Sequence, residues 1–157
     1  MWSAIASFLL GGVGCFAAFL LGKPWLDFLN LRSQVHEEII FTGNIGPMVK
    51  GTPAYDKAEE SLRRLAAKVN ATNATAATSI TALRLLRWYL SRDGYDLTKA
   101  ADGLMGLSNS MGDNPNDLFR AVHTNSIQVG LNLPRDRNDK SLRLLKETWE
   151  RRHGVAG

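Results

Sequence analysis

The chain has 157 residues, with 19 Lys and Arg against 15 Asp and Glu, a net charge of +4 and a pI near 9.5. Apolar content of 45% beside 22% charge excludes a disordered chain, and the length excludes two full domains in favour of a single modest core. A lone cysteine, Cys15, excludes an intramolecular disulfide. Mild basicity is compatible with an anionic membrane surface or with nucleic acid and is diagnostic of neither.

The first segment is the most informative. From Trp2 to Gly22 there is no charged side chain, and every charge of the sequence lies beyond it. As a helix this run is ~31 Å long, the hydrocarbon thickness of a bilayer, so the sequence predicts a transmembrane helix over 2–22. A cleavable signal peptide lacks its basic start and its small-residue cleavage site here. A lipoprotein signal at Cys15 lacks the large aliphatic residue expected before it, and a buried core helix of this length and purity is less common than a span. Ser3, Ser7, Gly11 and Cys15 recur every fourth residue, with Gly14 and Ala18 alongside. In lipid such a small-residue stripe is the usual contact face for another transmembrane helix, although small residues are also frequent in spans generally. Trp2 at one end and Lys23 and Trp25 at the other suit the membrane interface. Lys23 and Arg32 follow the run and only the terminal amine precedes it, so the positive-inside tendency places the body in the cytoplasm.

Pro24 either opens a new helix or kinks a continuous one. Trp25, Phe28, Leu29, Val35 and Ile39 then have helical spacing, with Asp27, Asn30, Arg32, Gln34 and Glu38 on a polar face and Gly43 as a stop. Adjacent His36, Glu37 and Glu38 face different directions on a helix and read as solvated. After a loop over 44–51, Thr52 and Pro53 form an N-cap and first helical position. Tyr55, Ala58, Leu62, Leu65, Ala66 and Val69 supply the buried face of that helix, and the pairs Glu59 with Arg63 and Glu60 with Arg64 its surface. Asn70 to Ala82 repeats the triplet Asn-Ala-Thr and is rich in small residues; a turn near 70–75 is preferred, because it closes an antiparallel hairpin. The triplets fit the N-glycosylation pattern, which matters only in a secretory lumen.

Ile80 to Arg92 is the next predicted helix, with Leu83, Leu86 and Leu90 on one face, joined by Tyr89 and Leu85, and punctuated by Arg84 and Arg87. Asp93-Gly94 ends it. Asp96 caps a helix through Leu107 that buries Ala100, Ala101, Leu104 and Leu107 and is weakened by Gly103 and Gly106. Ser108 and Ser110 lack the frame of a nucleophile elbow, and the stretch lacks the ending of a phosphate loop. A helix starting near 113–116 turns Leu118, Phe119, Val122 and Ile127 inward, with His123 packed at a boundary. The last helix, within 135–152, carries net charge +3 and aligns Leu142, Leu145 and Trp149. Docking on its own domain is its leading reading, ahead of a partner helix or an anionic bilayer.

These elements predict an all-α protein: one transmembrane helix over 2–22, a helical body of about four to five helices over 23–134, and a basic amphipathic helix and tail over 135–157. With three histidines and no motif partners, no catalytic, cofactor or metal site is assembled. The expected function is that of a single-span, non-enzymatic interaction or assembly subunit whose partners are membrane lipid and another transmembrane helix, its own copy or a partner protein's. A tethered enzyme, or a nucleic-acid module using Arg84, Arg87, Arg143, Lys146 and Trp149, is the alternative; acidic residues interspersed with these cations place nucleic acid behind the first reading. A pore of several spans is disfavoured by the absence of any polar side chain larger than Ser in the run.

Overall fold

The computed structural model describes residues 2–44, 50–78, 82–112, 118–134 and 140–153, and within them the side chains of 2–10, 13, 16–21, 44, 77, 78, 82, 83, 140–142 and 153 lie outside the described set. The described residues form helices and connecting turns and no strand. The helices are α1 (Trp2–Asn44), α2 (Pro53–Thr78), α3 (Ala82–Arg92), α4 (Leu97–Asn109), α5 (Leu118–Gly130) and α6 (Lys140–His153).

The helix caps follow the sequence signals. The Thr52 carbonyl accepts from Asp56 N at 3.0 Å, and the Thr52 hydroxyl accepts from Tyr55 N at 3.4 Å. Asp96 accepts from Lys99 N at 2.9 Å and so satisfies an orphan donor of α4. Helix α3 closes with a Schellman turn: Tyr95 N donates to Leu90 O at 2.9 Å and Gly94 N to Ser91 O, with Gly94 at φ +78°. The same pair of bonds ends α5, where Asn132 takes the left-handed position at φ +46°.

Four helices make the bundle, and its topology can be traced from the cross-helix bonds. Lys68 donates to Gln34, which sets α1 beside α2. Arg63 reaches Asn109 while Asn73 reaches Thr98, so α2 and α4 run antiparallel. Gly106 and Gly103 lie against His123 and Ile127, and Gly130 against Ala100 and Asp96, so α4 and α5 also run antiparallel. Arg32 bonds the carbonyls of Leu131 and Asn132, whereas Arg120 bonds that of Thr42, which closes the ring with α5 antiparallel to α1. This is an up-and-down four-helix arrangement of α1, α2, α4 and α5. Helix α6 packs on α5, and α3 connects the ends of α2 and α4.

The core is filled by Phe28, Leu31, Val35 and Ile39 from α1, Leu62, Ala66 and Val69 from α2, Ala100 and Leu104 from α4, and Ile127 from α5. Each is buried on the stripe that its helical spacing predicts. The two glycine contacts decide how closely α4 and α5 approach. A Cβ at Gly130 would stand 2.5 Å from the Asp96 carbonyl oxygen and 2.7 Å from the Ala100 nitrogen, and one at Gly106 would overlap the His123 ring. The glycines that lower the helix propensity of this region are therefore what lets its helices meet.

Four expectations change. Pro24 lies inside α1, so residues 2–44 form one helix across the proposed boundary at 22/23. Proline deprives only the Leu20 carbonyl of its donor, and the rest of the ladder continues on either side. The hairpin turn is not at 70–75, because α2 continues through the Asn-Ala-Thr repeats to Thr78; Ala76 is buried and Asn73 is tied to α4. Phe119 and Val122 are exposed rather than inward, since the face of α5 that meets α4 is made by His123, Ile127 and Gly130, which lie against Gly106, Gly103 and Ala100. Finally, among the described residues no helix is long and apolar enough to cross a membrane. Much of the 2–22 run on which that expectation rests lies outside the described side chains.

Two glycine substitutions separate rigid from yielding contacts. Gly130→Ala meets backbone that is itself held by the Asp96 N to Gly130 O bond, so it should cost about 2–3 kcal/mol in chemical denaturation. Gly106→Ala meets a ring that can rotate away and should cost less. Equal effects would contradict the packing described.

Candidate functional site

The features that point outward cluster at one end of the bundle, where α1 enters it. Trp25 stands three residues after Gly22, and its ring packs edge-on against Tyr89 of α3 at 4.9 Å between centroids. Phe28 packs edge-on against Tyr95 at 5.3 Å, and Trp25 and Phe28 lie 5.9 Å apart. This aromatic corner holds α3 against α1, with Leu86 and Leu90 inserted into the core.

The opposite side of α3 is uncovered. Leu85 and Trp88 are exposed there, and Leu26 of α1 is exposed as well. The Arg92 guanidinium lies 5.4 Å from the centre of the Trp88 ring, a cation–π arrangement. Arg84 and Arg87 are exposed on the same helix. Leu85 and Tyr89 were expected to join the buried face; α3 instead buries Leu86 and Leu90, while Leu85 is exposed and Tyr89 stays exposed beside the Trp25 ring. Hydrogen bonding to Asp93, together with its negative charge, raises the Tyr89 phenol above its usual pKa of 10.0.

The small-residue stripe is open where it is described. Gly11, Gly14 and Cys15 are exposed, and a Cβ at Gly11 or Gly14 would meet nothing within 4 Å. Ser3, Ser7, Ala18 and Trp2 lie outside the described side chains. Lys23 is exposed and pairs with Asp27 at 2.9 Å, a surface contact of small energetic weight.

The basic residues do not converge. Arg84 and Arg87 belong to α3, which packs on α1 and α2, whereas Arg143, Lys146 and Trp149 belong to α6 on the flank of α5. Lys146 also faces Glu150 at 3.8 Å. The cations of α3 and α6 therefore form two separate patches, of which that on α6 is partly neutralised by Glu150. Arg32 and Arg120, read from sequence as polar surface or not singled out, instead serve the fold: each reaches across to carbonyls at the C-terminal end of the other's helix.

Groups that could suggest chemistry are used locally. The Ser108 hydroxyl donates to Met105 O at 2.7 Å and that of Ser110 to Leu107 O at 3.2 Å. His123 is half-buried over Gly106. Among the described residues no group of three or more His, Cys, Asp or Glu side chains could hold a metal ion. A shallow groove of about 310 Å³ between α1 and α2 is lined by Gln34, Glu37, Glu38, Phe41, Arg64 and Lys68, a mixed-charge surface with no convergent set of donors. No family model, curated protein or solved structure matches this chain.

The Tyr89–Asp93 contact has a measurable titration. A phenol whose folded pKa is raised holds its proton more tightly in the folded state, so its contribution to stability is present below pH 10 and is lost as pH rises through the folded value. In the difference between wild type and Tyr89→Phe, the phenolate absorbance should appear above the ordinary tyrosine midpoint. Asp93→Asn should move that midpoint back down toward 10.0; an unmoved midpoint would rule out Asp93 as the cause.

Proposed function

We propose that this protein is a single-span, membrane-anchored helical subunit that works by binding another protein, or its own copies, beside the bilayer. The observation that carries the reading is the uncharged run Trp2–Gly22 set in the same helix as the core face Phe28, Leu31, Val35 and Ile39. A run of that length matches the hydrocarbon thickness, and its partial continuation into the bundle would fix the body rigidly to its anchor. Interfacial groups support it: Lys23 and Trp25 sit at the end of the run. Arg84, Arg87 and Arg92 stand at the same end of the bundle, which favours a cytoplasmic body by the positive-inside tendency.

The open stripe of Gly11, Gly14 and Cys15, continued in sequence by Ser3, Ser7 and Ala18, is the proposed contact with a second transmembrane helix. Lipid does not drive apolar helices together, so close backbone approach along such a face would supply the association. The remaining partner is membrane lipid. No reaction is assigned.

Full-length protein extracted from its membrane in mild detergent should run as an oligomer or bring a partner with it. Leu at Gly11 and at Cys15 would fill the stripe and should weaken that association about fivefold, corresponding to about 1 kcal/mol. A lone monomer without partner, unaffected by either substitution, would overturn the proposal.

A further inference from the structure

Helix α3 has an outer face that the bundle does not use. At about 100° per residue, Trp88 lies about 180° around the helix from the midpoint of Leu86 and Leu90, the two side chains it buries. Trp88 is 57% exposed and Leu85 51%. Arg84 and Arg92 are placed one turn before and one turn after Trp88, and the helix contains no acidic residue. An exposed Trp and Leu framed by arginines is costly in water and suited to the boundary between headgroups and acyl chains, where the ring is half-solvated and long cationic side chains reach phosphate.

Position selects this occupant over a protein partner. Helix α3 packs on α1 and α2 at the end of the bundle from which the 2–22 run emerges, and its Tyr89 touches Trp25. Trp25 is ~4.5 Å along the helix from Gly22, whereas the polar layer on each side of a bilayer is ~5–7 Å thick. If the run fills the hydrocarbon, α3 stands within the headgroup layer. We propose that α3 is an interfacial helix that seats Leu85 and Trp88 in an anionic bilayer surface, with Arg84, Arg87 and Arg92 on lipid phosphates. This rests on the anchoring reading above and adds to it a second, charge-dependent membrane contact that fixes the tilt and rotation of the body.

The test uses full-length protein reconstituted into vesicles of phosphatidylcholine alone or with about one-third phosphatidylglycerol, a lipid fraction chosen to give a strongly anionic surface. A spin label is placed either on the native Cys15 or, in Cys15→Ser, on Leu85→Cys, and its depth is read from its exposure to oxygen and to a water-soluble nickel chelate. The expected result is a Cys15 label at acyl depth in both lipids. The label at position 85 should lie at phosphate depth in the anionic vesicles. It should move toward water in phosphatidylcholine, at high salt, or when Arg84, Arg87 and Arg92 are all replaced by Gln. A deep Cys15 with position 85 fully aqueous in both lipids overturns the interfacial helix and leaves the anchor standing. A label at position 85 that is immobilised yet shielded from both oxygen and nickel marks a protein contact and also overturns it. A Cys15 label in water overturns both readings.

Discussion

The rest of the molecule depends on one helix doing two jobs along its length. In α1 the stripe Phe28, Leu31, Val35 and Ile39 forms one wall of the core, and the same helix continues back through Pro24 into the uncharged run. Burying that stripe against α2 supplies the apolar area that a body of this size needs for stability. It also fixes where the run leaves the bundle. With no loop between them, any force or orientation imposed on the run is passed to the body through a continuous hydrogen-bonded ladder, interrupted only where Pro24 lacks an N–H.

The bundle is closed by two different means. On one side, glycines bring α4 and α5 close enough for backbone atoms of Gly130 and Asp96 to bond at 2.8 Å. On the other side of α5, α1 and α5 are bridged by arginines, with Arg32 and Arg120 each donating to carbonyls near the end of the other helix. Such charge-assisted bonds satisfy carbonyls that a helix leaves orphaned, and the cation also opposes the negative end of the helix dipole. The arginines set the antiparallel register that brings the ends of α2 and α5 and the start of α4 to the Trp25 end. That is why α3 falls there.

Much of this was legible in the sequence because helical periodicity reports burial directly. Tyr55, Ala58, Leu62, Leu65, Ala66 and Val69 lie on the buried face that their spacing implies, as do Ala100, Ala101, Leu104 and Leu107. Caps at Thr52 and Asp96 and the stop at Gly94 are local chemistry, so they too could be read in advance. What failed was decided between helices. Phe119 and Val122 have the spacing of a core face, but the side of α5 that meets Gly103, Gly106 and Ala100 is taken by His123, Ile127 and Gly130. The Asn-Ala-Thr repeats look like a connector but continue α2, with Ala76 buried and Asn73 bonded to Thr98 of α4. Of the candidate site, the exposed position of Trp88 was available from its rotation against Leu86 and Leu90, whereas the partners of Arg32 and Arg120, about a hundred and about eighty residues distant, carry no local signal.

The central claim is that the uncharged run and the first core helix form one unbroken membrane-crossing element. Hydrogen–deuterium exchange of the full-length protein in lipid nanodiscs tests it most directly, because amides in a helix exchange slowly only where the ladder persists or lipid excludes water. The account predicts continuous protection from about Ser7 to about Thr42 with at most a narrow notch at Lys23 to Trp25. Rapid exchange throughout residues 2–22, or a broad exposed hinge separating them from Phe28, would contradict it.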